Sequence, residues 1–208
     1  MATLLYQGHG SLRITTAAGH TIYVDPFMSP EGQDSSATYD VPADLVLVTH
    51  QHFDHTAVDK MPHEQGCVVW QNADAHPTAG SYLTQSFLDG EVEVEAVEAY
   101  NHHHDKGACV GYVVRVDGLT LYFSGDTGPT EQMKQLAHYG LDYAFLPGDG
   151  IYTMTPEEAA RCANELGAHH SVPIHLKPVA PYGEAEAARF AKACPTALLI
   201  RPGVPTEL

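Results

Sequence analysis

The stretch Thr49-His50-Gln51-His52-Phe53-Asp54-His55-Thr56 constrains this chain more than any other. It places four metal-ligating side chains within six positions, directly after the apolar run Ala43-Asp44-Leu45-Val46-Leu47-Val48. That run has the length and composition of a buried strand. The ligands therefore stand where a strand ends and a loop begins, the position at which α/β sheets carry their chemistry. His50 and His52, two apart, project to one side of an extended chain and can grip one ion. Asp54 and His55 follow as the backbone turns, and suit a second ion about 3.5–4 Å away, the separation of two-metal hydrolytic sites. A surface loop that happens to be rich in histidine is the alternative, and ligands packed this densely argue against it.

Further candidates lie at the carboxyl ends of expected strands: the trio His102-His103-His104, Asp126 within Gly125-Asp126-Thr127, Asp149, and His175. A carboxylate can bridge two cations because each oxygen can bind one, and Asp126 sits on a glycine-flanked turn after a hydrophobic strand. An aspartate there also serves the turn itself. A histidine such as His175, after Val172-Pro173-Ile174, is equally at home in a core.

The rest of the chain reads as strand-rich in its first half and alternating strand and helix in its second. Strands are expected at 3–8, 11–16 and 20–25, spaced as an antiparallel meander. The segment 28–40 is rich in Ser, Pro, Gly and Asp, has no periodicity, and reads as a loop of the kind that covers sites. A short helix is expected within 58–65, a buried strand at 66–71, a helix at 78–88 and a half-exposed strand at 91–99. Val110–Val116 and Leu119–Ser124 flank Asp117-Gly118, a strong hairpin signal. Helices are expected at 131–138 and 184–193, and one from Pro156 to about Leu166. The last opens on the capping box Thr155-Pro156-Glu157-Glu158. Strands are expected at 143–146, 171–175 and 196–200.

Composition narrows the function. The 208 residues suit one domain spanning 1–208. No apolar run approaches the ~18 residues of a membrane span, and the N-terminus lacks a basic region and an apolar core, so no signal peptide is expected. Acidic residues outnumber basic ones 26 to 10, and a formal charge of −16 repels phosphate backbones. Nucleic acid is therefore not an expected partner. The four cysteines stand far apart with no CxxC pair, which suggests free buried thiols and a reducing, cytoplasmic setting.

Taken in order, His50-Gln51-His52-Phe53-Asp54-His55 resembles the HxHxDH signature of the metallo-β-lactamase fold, and His104, Gly125-Asp126-Thr127 and His175 follow in the order of that family's remaining motifs. The resemblance covers essentially the whole chain. Gly8-His9-Gly10-Ser11, Ile22-Tyr23-Val24-Asp25-Pro26-Phe27, Gly111-Tyr112 before Asp117-Gly118, and Tyr152-Thr153-Met154-Thr155 look like the L-ascorbate-6-phosphate lactonase-like branch. That branch is itself similar to the phospholipase D-type enzymes acting on N-acyl phosphatidylethanolamines.

The resemblance implies an α+β fold, a four-layer αββα sandwich of two mixed sheets packed face to face with helices outside. It implies His50, His52 and one histidine of the trio on a first metal, Asp54, His55 and His175 on a second, and Asp126 between them. His104 is the trio member at the family's distance from Val110-Gly111-Tyr112, with His102 the second choice. Asp54 would also orient the attacking water and take its proton. His9, Asp25, Tyr152 and Lys177 are candidate substrate contacts, each with a structural alternative. Nitrogen and oxygen ligands without thiolate suit two Zn²⁺ ions, or Mn²⁺ or Fe²⁺, and a water shared by two cations becomes acidic near neutral pH.

The expected activity is hydrolysis of a small ester, lactone or phosphorylated metabolite. A phosphodiesterase or nuclease on the same fold, and a non-catalytic metal-binding protein, are the alternatives. Relatives' self-association makes a homo-oligomer an expected partner state.

Overall fold

A computed structural model describes residues 1–29 and 37–208; residues 30–36, the middle of the expected loop 28–40, lie outside the described residues. Among the described residues twelve strands form two six-stranded sheets. The first contains β1 (Thr3–Gly8), β2 (Ser11–Thr15), β3 (Thr21–Val24), β4 (Ala43–Val48), β5 (His63–Gln71) and the last strand, β12 (Pro205–Glu207), in the order β12-β1-β2-β3-β4-β5. The second contains β6 (Thr84–Phe87), β7 (Val92–Glu98), β8 (Val110–Val116), β9 (Leu119–Phe123), β10 (Tyr143–Pro147) and β11 (His170–Ile174), in the order β11-β10-β9-β8-β7-β6. Both sheets are mixed: β3, β4 and β5 run parallel, as do β9, β10 and β11, and the remaining pairs are antiparallel.

Alternation along each strand sorts side chains between layers. On β7, Val92, Val94 and Ala96 enter the core between the sheets, while Glu93 and Glu95 face outward to pair with Arg115 on β8. On β8, Tyr112 and Val114 join that core while Val113 faces the opposite way. The inner core is completed from the first sheet by Leu4, Tyr6, Ile14, Ile22, Leu45 and Leu47.

Helices α2 (Glu131–Gln135), α3 (Pro156–Leu166) and α4 (Glu184–Ala193), which follow the four-residue α1 (Asn72–Ala75), cover the outer face of the second sheet. Ala159, Ala160, Ala163 and Leu166 on α3 and Phe190 on α4 meet Val113, Tyr122 and Ala144 there. The outer face of the first sheet, carrying Tyr23, Val46 and Val48, is covered by Met61, Val58 of a 3-10 turn and Tyr39. The architecture is α+β and four-layered. Among the described residues no helix is long and apolar enough to cross a membrane.

Four sequence expectations are corrected. Residues 78–88 are not a helix: β6 occupies Thr84–Phe87 and pairs with β7, burying Phe87 against Trp70. The apolar residues of this segment had no helical period, and the open edge of β7 offered a ladder instead. Within 58–65 only Val58–Lys60 turns helically, and β5 already begins at His63; as the edge strand of its sheet it is largely exposed rather than buried, with only Trp70 in the core. Residues 196–200 run beside β11 with one bridge, Ser171 to Ala197, and the final strand is β12 beyond Pro202. All four cysteines are free; Cys109, Cys162 and Cys194 are buried and Cys67 half-buried.

Each parallel strand ends at the same edge of the sandwich. Asp25 follows β3, Thr49 and His50 follow β4, Asp126 follows β9 by three residues, Asp149 follows β10 by two, and His175 follows β11. Hydrogen bonds lock the two sheets together there. Val110 N donates to Thr49 O at 3.0 Å, His175 N to His9 O at 2.7 Å, and the Tyr112 hydroxyl to Val48 O at 2.9 Å.

The capping box of α3 is formed: Glu158 N donates to Thr155 Oγ1 at 3.2 Å, and Thr155 N to a Glu158 carboxylate oxygen at 2.9 Å. Thr155→Ala is expected to lower unfolding free energy by about 1 kcal/mol, read by urea denaturation, with metal content retained because α3 lies on the sheet's outer face.

Candidate metal centre

Asp126 stands at the centre of this edge, buried, with four imidazoles aimed at one of its oxygens. His175 Nε2 lies 3.2 Å from Asp126 Oδ2, His104 Nε2 3.3 Å, His55 Nε2 3.5 Å and His50 Nε2 3.9 Å. The ligand atoms of His50, His52 and His104 all lie within 4.8 Å of one another, and those of Asp54, His55, His175 and His9 form an adjacent cluster by the same measure. Asp25, His50 and His55 make a third, overlapping set.

Anchors behind the rings fix which nitrogen faces the centre. The single proton of the Thr49 hydroxyl points to Asp25 Oδ2, 2.6 Å away, so Thr49 Oγ1 meets His50 Nδ1 at 3.0 Å as an acceptor. His50 therefore carries its proton on Nδ1 and offers a lone pair on Nε2. His55 Nδ1 donates to Asp25 Oδ2 at 3.0 Å, and His104 Nδ1 donates to Asn101 Oδ1 at 3.0 Å. Asn101 Oδ1 also accepts the backbone N–H of His103 and His104, which closes the loop around the His104 ring. Behind the fourth ring, Asp149 Oδ2 lies 3.4 Å from His175 Nδ1. Such outer partners orient metal ligands and raise their basicity.

The Nε2 atoms of His50 and His55 are buried and have no hydrogen-bond partner among the described residues. A buried imidazole nitrogen without a partner is costly, and two cations would satisfy both. The donor set, imidazole and carboxylate without thiolate, fits divalent Zn, Mn or Fe. The two adjacent clusters suit a pair of divalent cations, the arrangement of a metallohydrolase.

The backbone is bent to make these approaches. His9, Asp25 and His175 have φ of 56°, 45° and 45°, in the left-handed region that L-residues avoid. Strain of about 1–3 kcal/mol per residue persists only where surrounding structure over-determines it. Gly10 permits a close contact with a candidate ligand: a Cβ built on it would stand 2.9 Å from His55 Cε1.

Burial drives the His50 imidazole down to about 2, helped by the neighbouring His55, so it stays neutral and open to a cation. His175 and His55 go the other way. Burial is the largest single influence and opposes their charge, but Asp126 together with Asp149 beside His175 and Asp25 beside His55 outweighs it, taking His175 up to about 9 and His55 well above the ordinary value. Asp126, despite its burial, is held well below the carboxylate range by His175, His55 and His104. Asp54 is likewise held low against its burial, chiefly by the hydrogen bond from His9 Nε2 at 3.0 Å.

A cleft of about 320 Å³ opens onto this centre, walled by His52, Asp54, His104, Asp126 and His175 at its floor and by Phe53, His103, Tyr152, Pro178 and Val179 at its rim. Tyr152 thus stands at the cleft. His9 and Asp25 are buried behind it, His9 on Asp54 and Asp25 on Thr49 and His55. Lys177 is exposed and outside the cleft lining. Of the trio, His104 is buried, while His102 and His103 are exposed. Sequence reasoning missed the anchors Thr49 and Asn101, and Phe53 at the rim. The one signal available for Asn101 was its place three residues before His104.

Comparison with known proteins follows this geometry. The beta-lactamase superfamily domain matches residues 3–175. The chain belongs to this superfamily. A UPF0173 metal-dependent hydrolase from Geobacillus sp. (strain WCH70) is 34% identical over 194 residues, covering 82% of this chain and 83% of the relative. Another, from Nitratidesulfovibrio vulgaris (strain DP4), is 33% identical over 195 residues, covering 83% and 79%. The structure of Igni18, a metallo hydrolase from Ignicoccus hospitalis KIN4/I, superposes with a TM-score of 0.74 over 100% of this chain and 99% of that one; at 24% identity it shows a shared fold alone.

Two outcomes are expected. Gly10→Ala should push the His55 ring out of place and cut bound metal well below that of the unmodified protein by elemental analysis, with the fold intact by circular dichroism. In the metal-free protein His55 and His175 hold protons above the ordinary histidine value, so cations must displace them. Zinc affinity should climb as pH rises from about 6 toward 9, with at least one proton released per protein at pH 7, read by calorimetry in buffers of different ionisation heat. The stability these charged imidazoles lend the metal-free protein is full below their unfolded value near 6.5 and lost as pH rises through about 9.

Proposed function

We propose that this protein is a hydrolase that uses two divalent cations, zinc foremost, to activate water against a small ester, lactone or phosphorylated metabolite. The observation that carries the reading is the Asp126 carboxylate facing four imidazole Nε2 atoms, two of which have no other partner. In this reading His50, His52 and His104 hold one cation and Asp54, His55 and His175 the other, with Asp126 between them. When bound, the cations supply Lewis-acid charge that acidifies water and stabilises the developing negative charge on a substrate oxygen.

The chain's own residues do the rest. Asp54, kept anionic and aimed by His9, accepts the proton of the attacking water. The water oxygen bonds to the acyl carbon, the carbon–oxygen bond to the leaving group breaks with its electron pair on that oxygen, and the proton passes from Asp54 to it. An acid and an alcohol result, joined in one molecule when the substrate is a lactone. Asp25 holds His55 by its hydrogen bond to Nδ1, and the Asp149 carboxylate stands behind His175 at 3.4 Å, so little reorganisation accompanies the reaction. The likeness to the L-ascorbate-6-phosphate lactonase-like branch supports ester and lactone chemistry. The charge of −16 disfavours nucleic-acid substrates.

Asp54→Asn is expected to lower turnover by about 10²–10⁴-fold, measured on the fastest substrate of an ester, lactone and phosphate panel, with the melting transition retained. Unchanged turnover would remove Asp54 from this role.

A further inference from the structure

The charges and walls of the cleft point to a narrower substrate. We infer that it takes an uncharged ester or lactone whose non-reacting part is apolar, seated among Phe53, Tyr152 and Val179, and that it disfavours phosphorylated compounds. This rests on the hydrolase reading above and goes beyond it in naming the substrate class.

Charge balance is the first observation. Asp25, Asp54, Asp126 and Asp149 all face the two cation clusters or the imidazoles that line them. Four carboxylates already balance two divalent cations. A phosphate monoester would bring up to two more negative charges, and an uncompensated charge in a partly dry cleft is costly. No lysine or arginine lines the cleft among the described residues, and the segment 30–36 contains none in its sequence.

The chain's few cations are engaged elsewhere. Eight of the ten pair with carboxylates: Arg13, Lys60, Lys106, Arg115, Lys134, Arg161, Arg189 and Arg201. Lys177 alone of the remaining two is close in sequence to the cleft, and it is exposed and outside the lining. The field of the whole chain, at −16, also repels an approaching anion.

The rim is the second observation. Phe53 is 74% exposed and Tyr152 48% exposed, large apolar surfaces left in water at the mouth of a polar centre. Val179, a β-branched residue, is held at φ 47° in the same wall. Aromatic and aliphatic surface left uncovered at the mouth of a cleft suits an apolar group.

The test compares 4-nitrophenyl acetate, butyrate and hexanoate with 4-nitrophenyl phosphate on zinc-loaded protein. Specificity (kcat/KM) should rise by about tenfold or more from acetate to hexanoate, with phosphate at least a hundredfold below hexanoate. Phe53→Ala should bring the hexanoate-to-acetate ratio close to one, and Phe53→Leu should restore most of it, metal content being equal in all three proteins. Calorimetric titration with hexanamide, acetamide and inorganic phosphate reads the same preference without turnover, and hexanamide should bind tightest. A flat chain-length series, or phosphate hydrolysed fastest and lost in Lys177→Ala, would overturn the apolar assignment and leave the hydrolase reading standing. Loaded protein that turns over none of these esters but binds hexanamide over acetamide would sink the hydrolase reading and keep the apolar site.

Discussion

The Asp126 carboxylate is buried where the two sheets meet, and its surroundings make sense only as a response to that buried charge. An anion taken out of water without partners would neutralise or unfold its site. Here four rings from both sheets converge on it: His50 and His55 from the loop after β4, His104 from the loop before β8, and His175 from the end of β11. The balancing positive charge can be protons on His55 and His175 or a pair of divalent cations, and the two compete for the same nitrogens. His50 takes no proton, since its burial and the neighbouring imidazoles leave it neutral. At neutral pH the His50 side of the centre is therefore open to a cation, while at His55 and His175 a cation must displace a proton.

That convergence needs rigidity that loops alone do not supply. Parallel strands in both sheets end at one edge, so the side chains just past them inherit the placement of a hydrogen-bonded ladder. The last step of placement is made with strained backbone at His9, Asp25 and His175, and each strained residue is held by something packed around it. His9 is gripped by its own backbone bonds to Pro181 and His175 and by ring contacts with Phe27 and His175. The Asp25 carboxylate accepts from Thr49 N, Thr49 Oγ1 and His55 Nδ1. Fold stability and site geometry are thus coupled through the same few residues.

The ligand cluster was legible from sequence because its spacing is itself the chemistry: two histidines on one side of a strand, then a turn. The strand ends bearing Asp126, Asp149 and His175 were legible because buried strands are short apolar runs with abrupt polar ends. Other features depended on what lay across space. Thr84-Gln85-Ser86-Phe87 has no apolar alternation, and only the open edge of β7 makes it a strand. Thr49 and Asn101 look like ordinary loop residues until Asp25 and His104 are folded against them. Asp25 and His9 read equally well as substrate contacts or as structural hydrogen-bonding residues, and burial together with their bonds to His55, Thr49 and Asp54 places them behind the candidate ligands. The trio was ambiguous in sequence, and Asn101 distinguishes its members by receiving His104 Nδ1.

The division of labour at the centre also bears on what the protein can discriminate. The floor of the cleft is fixed by ligands and their anchors, so a change there alters the centre itself. The rim is free of that duty. Phe53 sits between two candidate ligands in sequence yet projects into solvent, and Tyr152 rides on a loop tied down by Asp149 Oδ1, which accepts the N–H groups of Ile151, Tyr152 and Thr153. Asp149 thus faces both ways, with one oxygen toward His175 and the other holding the rim loop. Specificity can vary at the rim while the centre stays constant, which is how one fold serves many substrates. One carboxylate thus lies against both the His175 side of the centre and the loop that carries Tyr152.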